Sequence, residues 1–237
     1  MYKEDPRFER PVNDDVKIWR YMDLPGFVWM LNQKSLYFCA IEQLRCLDSF
    51  EGSLQPSKLL KAVSVNQAQN FVKKMESCGP RRTVNCWHIN DCESAAMWKL
   101  YAGENKGVAI QSTFSRMVKA FEKFPDNVYI GMIRYIDYRN ETLKGKNIEI
   151  FEPVLTKRKS FEHEKELRAV IWETSESTKR TNDGSVLAGV DLEKLIENID
   201  ISPSSPDWHK DNIQVIVEKF GLAIPVLQSE LDRQPLY

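Results

Sequence analysis

The sequence predicts one domain of the α+β class, spanning residues 1–237, in which a mixed central sheet of about six to seven strands is flanked by helices. Segments with helical apolar spacing and segments with alternating apolar spacing are interleaved along the chain. No run rich in Pro, Gly or Ser divides it, and no internal repeat stands out. A chain of 237 residues is long enough to bury a substantial core within one domain.

Helix and strand signals alternate in the N-terminal half. Asp23 is the expected N-cap of a helix over residues 23–32, and Pro25 lies near its start, where a missing N–H costs little. The other elements expected here are a strand over 34–39, a surface helix over 57–75, a strand over 84–89, a helix that begins at Asn90 with Glu93 in a capping box, and a strand over 107–111.

The C-terminal half is predicted in the same way. Its expected helices cover 114–124, 156–166, 191–198 and 205–220, and the second of these is strongly basic. Its expected strands cover 128–135, 167–172 and 224–228. Polar residues predict a loop over 137–147 and a mobile loop or hairpin over 173–184.

Composition argues against several classes of protein. Lys and Arg total 33 against 34 Asp and Glu, so the net charge of -1 shows no nucleic-acid signal. No apolar run approaches the roughly 20 residues of a membrane helix. The polar start carries no signal-peptide core, and the five cysteines are odd in number and scattered. We therefore expect a cytoplasmic protein with reduced thiols and no membrane association.

The stretch over residues 86–110 has the composition of a pocket wall, because large aromatic residues alternate with groups that donate, accept or titrate. Trp98 and Tyr101 are three residues apart and share one face of the predicted helix. Aromatic residues at this spacing are usually core, but the Tyr101 hydroxyl can meet a ligand at the helix end. Glu93, Trp98 and Tyr101 are therefore candidate ligand-binding residues.

Cys86 and His88 are alternate residues of the strand predicted over 84–89, so their side chains point to the same face of it. A Cys–His nucleophile pair is one interpretation, and a buried Cys beside a hydrogen-bonded His is the commoner one. A zinc site would also need Cys78 and Cys92, but the set contains no CxxC pair, so no metal is predicted. His88 is retained as a candidate ligand-binding residue.

Carboxylates are concentrated at two further places. Glu164, Glu166 and Arg168 would share one face if a strand began near Glu164, and carboxylates crowded beside an Arg have divided pKa values. We predict these three as catalytic residues, as a general base or an oxocarbenium stabiliser. The alternative is a surface i,i+4 pair between Glu164 and Arg168. Glu51, after Asp48, is either in a ligand-binding loop or in a solvated turn.

Several motifs follow one another in a fixed order, and they are WRY at 19–21, KSLYFC followed by LDSFEG, CWHINDCESAAMWKLY with KGVAI, IRY at 133–135, and Lys159 ahead of HEKELR. In these motifs the chain resembles the bacterial domain-of-unknown-function family 2971 over residues 19–168. Cys86-Trp87-His88 replaces the more usual Cys-Phe-Ser type of strand, so a role for His88 would be peculiar to a subgroup. The family implies no settled activity.

The chain is more distantly similar to ADP-ribosyltransferase-like folds, which place a basic residue, a Ser-Thr element and a late Glu on successive strands. Arg20 beside Tyr21, then Ser112, then Glu164 and Glu166 fall in that order. The resemblance implies that Arg20 holds the pyrophosphate of NAD, that an aromatic side chain stacks on nicotinamide, and that Glu166 binds the ribose.

Three functions therefore stand as hypotheses. The first is an NAD- or nucleotide-processing enzyme of ADP-ribosyltransferase or NAD glycohydrolase type, in a toxin or phage-defence context. The second is a hydrolase that uses Cys86, His88 and Glu93. The third is a ligand- or partner-binding module without turnover, whose carboxylates would all be engaged in structural ion pairs. None firmly implies a cofactor, and NAD would be a substrate.

Overall fold

The computed structural model describes residues 1–53, 82–103, 106–137, 151–172, 174–176 and 178–233. Its strands are β1 Lys17–Met22, β2 Ser35–Ala40, β3 Thr83–Ile89, β4 Val108–Thr113, β5 Tyr129–Met132, β6 Arg134–Ile136, β7 Thr156–Arg158, β8 Glu166–Ile171, β9 Val186–Gly189, β10 Asn198–Ile201 and β11 Val226–Gln228. Its helices are α1 Leu24–Gln33, α2 Ala95–Tyr101, α3 Phe114–Ala120, α4 Glu152–Leu155, α5 Leu192–Leu195 and α6 Asp207–Lys219. Short 3₁₀ helices cover Ile41–Cys46, Lys159–Glu164 and Glu230–Asp232.

Nine of these strands form one mixed sheet, which confirms the predicted α+β class. Seven lie in the order β11-β10-β4-β1-β3-β2-β9, and β8 joins β3 while β5 joins β8. β10 and β11 run parallel, and the other neighbours in this sheet run antiparallel. β6 and β7 make a separate parallel pair.

The sheet divides along one edge of β3. β8 pairs with β3 from Thr83 to His88 and so occupies the other edge. On the divided edge, β1 pairs with β3 only at His88 and Ile89, and β2 pairs with it only at Thr83 and Val84. β1 and β2 therefore diverge on either side of the middle of β3, and side chains instead of a strand meet the backbone there.

The largest apolar cluster packs α1, α3, α5 and α6 against the sheet, and its fully buried members include Phe27, Phe38, Phe121, Ile199 and Val217. A smaller cluster surrounds α2 and includes Trp19, Tyr21, Met97, Trp98, Ala102 and Ala109. Burial of such side chains contributes roughly 1.5–3 kcal/mol each, so these clusters hold α2 and the helices to the strands.

Helix α1 begins as predicted, because the Asp23 carboxylate accepts a hydrogen bond from the Gly26 N–H at 2.8 Å and Pro25 lies in the first turn. The start predicted for α2 is wrong. Its N-cap is Ser94, whose hydroxyl accepts from the Met97 N–H, and Asn90 lies in the preceding loop. Ser94, the residue immediately before the helix, therefore caps it. The Glu93 carboxylate accepts hydrogen bonds from Trp98 and Ser229 instead.

The basic helix predicted over 156–166 is also wrong. The segment forms β7 and a 3₁₀ helix, because Lys157, Glu164 and Glu166 turn inward to form ion pairs, whereas Lys159, Glu162 and His163 are exposed. The strand predicted over 128–135 is two strands that break at Ile133, and the helix predicted over 191–198 ends at Leu195, before β10.

Other expected segments fall partly or wholly outside the described residues. These are the helix over 57–75, most of the loop over 137–147, and positions 173 and 177 of the segment 173–184. In that last segment Arg180 forms an isolated bridge with Val186. None of the described helices has the length and apolar character needed to cross a membrane.

Candidate functional site

A pocket of about 450 Å³ lies where β1 and β2 diverge, and this volume is within the range of small-molecule sites. Its apolar and aromatic wall comes from β1, the first 3₁₀ helix, α2 and the second 3₁₀ helix, and includes Trp19, Tyr21, Leu44, Leu100, Tyr101 and Phe161. Its charged side chains are Arg20, Asp48, Glu51, Lys157, Glu164 and Glu166. The pocket thus joins a hydrophobic wall to a compact group of charges.

Lys157 lies among three carboxylates at one end of this pocket. Its Nζ is 3.3 Å from Glu166 Oε2 and 3.8 Å from Glu51 Oε2, and it donates a short hydrogen bond to Glu164 Oε2. The Lys157 side chain is only 11% exposed. A cation so placed neutralises carboxylates that would otherwise repel one another at low dielectric.

Arg168 forms ion pairs with two of these three carboxylates, those of Glu51 and Glu166. Its Nε donates to Glu166 Oε1 at 2.6 Å, its Nη2 to Glu166 Oε2 at 3.0 Å and its Nη1 to Glu51 Oε1 at 2.8 Å. Arg168 is fully buried and Nη1 also donates to the Val154 carbonyl. This fork-shaped, two-bond contact with Glu166 is the strong form of an Arg–carboxylate pair.

These contacts keep Glu166 ionised. Burial alone would raise the pKa of Glu166, but the charges of Arg168 and Lys157 outweigh it and lower the pKa to about 2. Tyr101 Oη donates to Glu164 Oε1 at 2.7 Å, so a phenol also holds the second carboxylate. Glu166 is therefore an acceptor or an electrostatic stabiliser at neutral pH, and it has no proton to donate.

Arg20 has a different environment. Its Nη1 donates to the Cys86 carbonyl at 3.0 Å on the unpaired middle of β3. No carboxylate among the described residues pairs with it, and the titratable groups near it are the Cys86 and Cys39 thiols, whose pKa values are raised by burial. Burial lowers the pKa of Arg20, but an arginine stays protonated in proteins. The pocket therefore contains a guanidinium without an anionic partner in the described part of the chain.

Cys86 and His88 do not form an activated nucleophile. Burial raises the pKa of the Cys86 thiol, and the Glu166 carboxylate raises it further. His88 Nδ1 donates to the Glu164 carbonyl at 2.6 Å, and burial lowers the pKa of His88, so its ring is neutral. His88 Nε2 is buried and has no hydrogen-bond partner among the described residues. A Cys–His hydrolase needs a thiol that its histidine activates. Here the thiol is neutral and the histidine is hydrogen-bonded to a carbonyl, so the hydrolase hypothesis is disfavoured.

Three candidates lie outside the pocket. Glu93 accepts hydrogen bonds from Trp98 Nε1 and Ser229 Oγ, both at 2.7 Å, so it binds protein groups. Trp98 is buried in the small cluster around α2. Ser112 is fully buried and donates to the Leu195 carbonyl at 2.5 Å. The ligand-binding roles of these three residues stay predictions: their polar groups form internal hydrogen bonds, and none of the three lines this pocket.

The structure brings the other candidates together. Arg20, Tyr21, Glu51, His88, Tyr101, Glu164 and Glu166 line one pocket, and Arg168 lies directly behind Glu51 and Glu166. The sequence interpretation missed Lys157, Phe161 and Tyr37, which also line it. The one signal for Lys157 was its place in a charge run, which is usually a solvated helix face.

No group of at least three His, Cys, Asp or Glu side chains within the described ranges could hold a metal ion. Cys78, one of the four residues of the zinc interpretation, lies outside those ranges. The four cysteines for which a state is described are free thiols, namely Cys39, Cys46, Cys86 and Cys92.

Comparison with known proteins adds no relative. The chain matches no protein-family model, no curated protein and no solved structure.

Proposed function

We propose that this pocket binds a small ligand of the nucleotide type, with a phosphate group on Arg20 and a ring or ribose among the aromatic side chains. The observation that carries the proposal is the Arg20 guanidinium, which lines the pocket and has a carbonyl as its described partner but no carboxylate. A half-buried cation is costly unless an anion compensates it, and guanidinium groups match phosphate oxygens in two-bond geometry.

The rest of the pocket supports a ligand of this kind. Trp19, Tyr21 and Tyr101 offer aromatic surface for a flat ring. Glu164 and Glu166 line the same pocket and form ion pairs with Lys157 and Arg168, and each carboxylate can accept a hydrogen bond from a ribose hydroxyl. A ligand with an anion at one end and hydroxyl donors at the other matches these charges.

Binding without turnover is the function that the geometry supports best. All three glutamates of the cluster form ion pairs with Lys157 or Arg168, as expected if they serve structure and recognition. A carboxylate already paired with two cations is a weaker stabiliser of a new positive charge, because the cations reduce its field.

NAD cleavage is the second candidate, favoured by the position of Glu166 in the same pocket as Arg20. In this reaction the bond from ribose C1′ to the nicotinamide nitrogen breaks, and its electron pair neutralises the ring. A carboxylate stabilises the oxocarbenium until water or an acceptor group adds to C1′ and releases a proton. NAD depletion by such an enzyme, in the cytoplasm, is the basis for a toxin or phage-defence role.

Calorimetric titration with ADP-ribose, NAD and ADP tests the binding proposal. We expect saturable binding by the wild type and at least about a tenfold weaker association for Arg20→Gln, which removes a charge-assisted phosphate contact. Arg134→Gln is the matched control, because Arg134 is an exposed arginine on β6 outside the pocket. Absence of binding by the wild type, or equal affinity in Arg20→Gln, would contradict the proposal.

Nicotinamide release and intact protein mass separate binding from turnover. The wild type is incubated with NAD beside Glu166→Gln and Glu164→Gln, and circular dichroism confirms that each variant is folded. Binding without nicotinamide release or a mass increase supports the binding function. Release by the wild type that is lost in folded Glu166→Gln would replace that function by NAD cleavage.

A further inference from the structure

The C-terminal 3₁₀ helix is held by one buried carboxylate that precedes α2. Glu93 Oε1 accepts from the backbone N–H of Glu230 and, at 3.3 Å, from that of Leu231. Glu93 Oε2 accepts from Ser229 Oγ and Trp98 Nε1, both at 2.7 Å. Two of these donors are N–H groups in the first turn of the 3₁₀ helix, and that of Leu231 is shared with the local cap Ser229 Oγ at 3.1 Å, so the carboxylate adds a second cap across more than 130 residues of chain.

The same carboxylate is adjacent to the pocket wall. Ser94 follows Glu93 and is the N-cap of α2, and its N–H donates to the Tyr21 hydroxyl at 2.7 Å. Tyr21 lines the pocket, and α2 contributes Leu100 and Tyr101 to it. A change in the position of Glu93 therefore acts on the pocket through Ser94 and through Trp98 in the body of the helix.

A second buried carboxylate faces this arrangement. Tyr21, Ala109 and Asp200 are in register across β1, β4 and β10, so Asp200 lies on the face of the sheet that α2 covers. Its described hydrogen-bond partner is Asn198, at 2.6 Å, and it is 6% exposed. The charged and titratable groups that act on it are Glu93, Glu230, Lys17 and the Tyr21 hydroxyl.

We propose that Glu93 is a positioning residue for the pocket wall, and that the proton on Asp200 determines how firmly Glu93 holds the C-terminal 3₁₀ helix. Burial raises the pKa of Asp200, and the neighbouring Glu93 raises it further, to about 7. Loss of the Asp200 proton as pH rises through neutrality places a negative charge on the face of the sheet that α2 covers, and its repulsion of the Glu93 carboxylate loosens the contact.

Hydrogen exchange tests this without any ligand, so its outcome is independent of what the pocket binds. The amides of Glu230, Leu231 and α2 are followed at about pH 5.5, 7 and 8.5, with rates corrected for intrinsic exchange. We expect Glu93→Gln to lose at least about tenfold protection at Glu230 and Leu231 and to lose protection in α2, with β8 amides unchanged as evidence of folding. Glu218→Gln, an exposed acid on α6, is the control.

The pH profile distinguishes positioning from a purely structural role. In the wild type, protection of these amides should fall between about pH 6 and 8, and in Asp200→Asn it should stay at its low-pH level. Ser229→Ala, which removes one donor to Glu93 and the local cap of the Leu231 N–H, is the second variant if Glu93→Gln does not fold, and its readout is the exchange of α2. Unchanged α2 exchange in the folded Glu93 or Ser229 variant, or a wild-type profile that is flat or survives in Asp200→Asn, would overturn the proposal.

Discussion

Arg168 holds two of the carboxylates that line the pocket, those of Glu51 and Glu166, in place. Its guanidinium donates four hydrogen bonds to Glu166, Glu51 and the Val154 carbonyl from a fully buried position. Without it, the carboxylates of Glu51, Glu164 and Glu166 would share the Lys157 ammonium. Desolvation of an uncompensated charge then dominates the energetics, because its cost exceeds any gain from the remaining ion pair.

We therefore predict that Arg168→Met lowers the free energy of unfolding by about 3–5 kcal/mol, as measured by urea denaturation near neutral pH. Arg233→Met is the control, because Arg233 and Glu230 form an exposed pair with side chains 75% and 67% exposed. The control should lose much less. Equal stability losses in the two variants would show that the buried cluster does not contribute as described.

Residue patterns predicted part of this site. Alternation put Glu166 and Arg168 on one strand face, and they do pair. The i,i+4 pair between Glu164 and Arg168 is not formed, because Lys165 adopts a left-handed backbone at φ 39° and separates Glu164 from the strand. Glu164 binds Lys157 instead. Only the folded chain brings that lysine inward, so a charge run in the sequence could not indicate it.

At the scale of elements, Gly107, just before β4, lies in close contact with Ala102, just after α2. A Cβ on Gly107 would lie 2.0 Å from the Ala102 carbonyl oxygen and 2.6 Å from the Ala102 Cβ. The carbonyl of Gly107 also accepts from the Ser202 N–H at 3.1 Å, which ties β10 to this turn. The Ala102 contact cannot relax without moving the end of α2, which carries Tyr101.

Gly107→Ala is therefore expected to reduce the free energy of unfolding by about 2 kcal/mol or more, because backbone must shift to admit one methyl group. Gly189→Ala is the matched control: a Cβ there meets nothing within 4 Å, and its effect should stay within about 0.5 kcal/mol. Thermal or urea unfolding measures both. A stable Gly107→Ala protein would mean that the turn can relax at little cost.

Local sequence predicted elements well where one local force dominates. The Asp23 cap and Pro25 locate α1, and β-branched and aromatic residues locate β3 and β8. Prediction failed for 156–166, whose composition favours a helix, because buried ion pairs outweigh helix propensity. β9 and β10 were missed, since each is four residues long and depends on pairing with a distant strand.

For the whole molecule, the divergence of β1 and β2 explains why the pocket lies inside a continuous sheet. Side chains take the place of a neighbouring strand there: Arg20 binds the Cys86 carbonyl and Asn85 Nδ2 donates to the Tyr37 carbonyl at 2.8 Å. Backbone groups that would otherwise be unpaired are thus satisfied by polar side chains at the base of the pocket. The fold creates a polar pocket base without breaking the apolar core on the helix face.

The free energy of unfolding should depend on pH through two carboxylates whose pKa values are shifted in opposite directions by folding. Glu166 has a folded pKa of about 2, below its ordinary value of 4.5, so its contribution is present above pH 4.5 and lost as pH falls towards 2. Asp200 has a folded pKa of about 7, above its ordinary value of 3.8. Its contribution is fully present below pH 3.8 and is lost as pH rises to about 7.

Asp200→Asn removes the second effect and leaves the first. We expect the stability of the wild type relative to this variant to decline by about 2–4 kcal/mol from pH 4 to pH 8, since one pKa unit corresponds to about 1.4 kcal/mol. Urea unfolding of both proteins across this range measures the difference, in which titrations shared by the two proteins cancel. A constant difference would show that Asp200 titrates as it does in the unfolded chain, and a difference that grows with pH would reverse the sign of its coupling to Glu93.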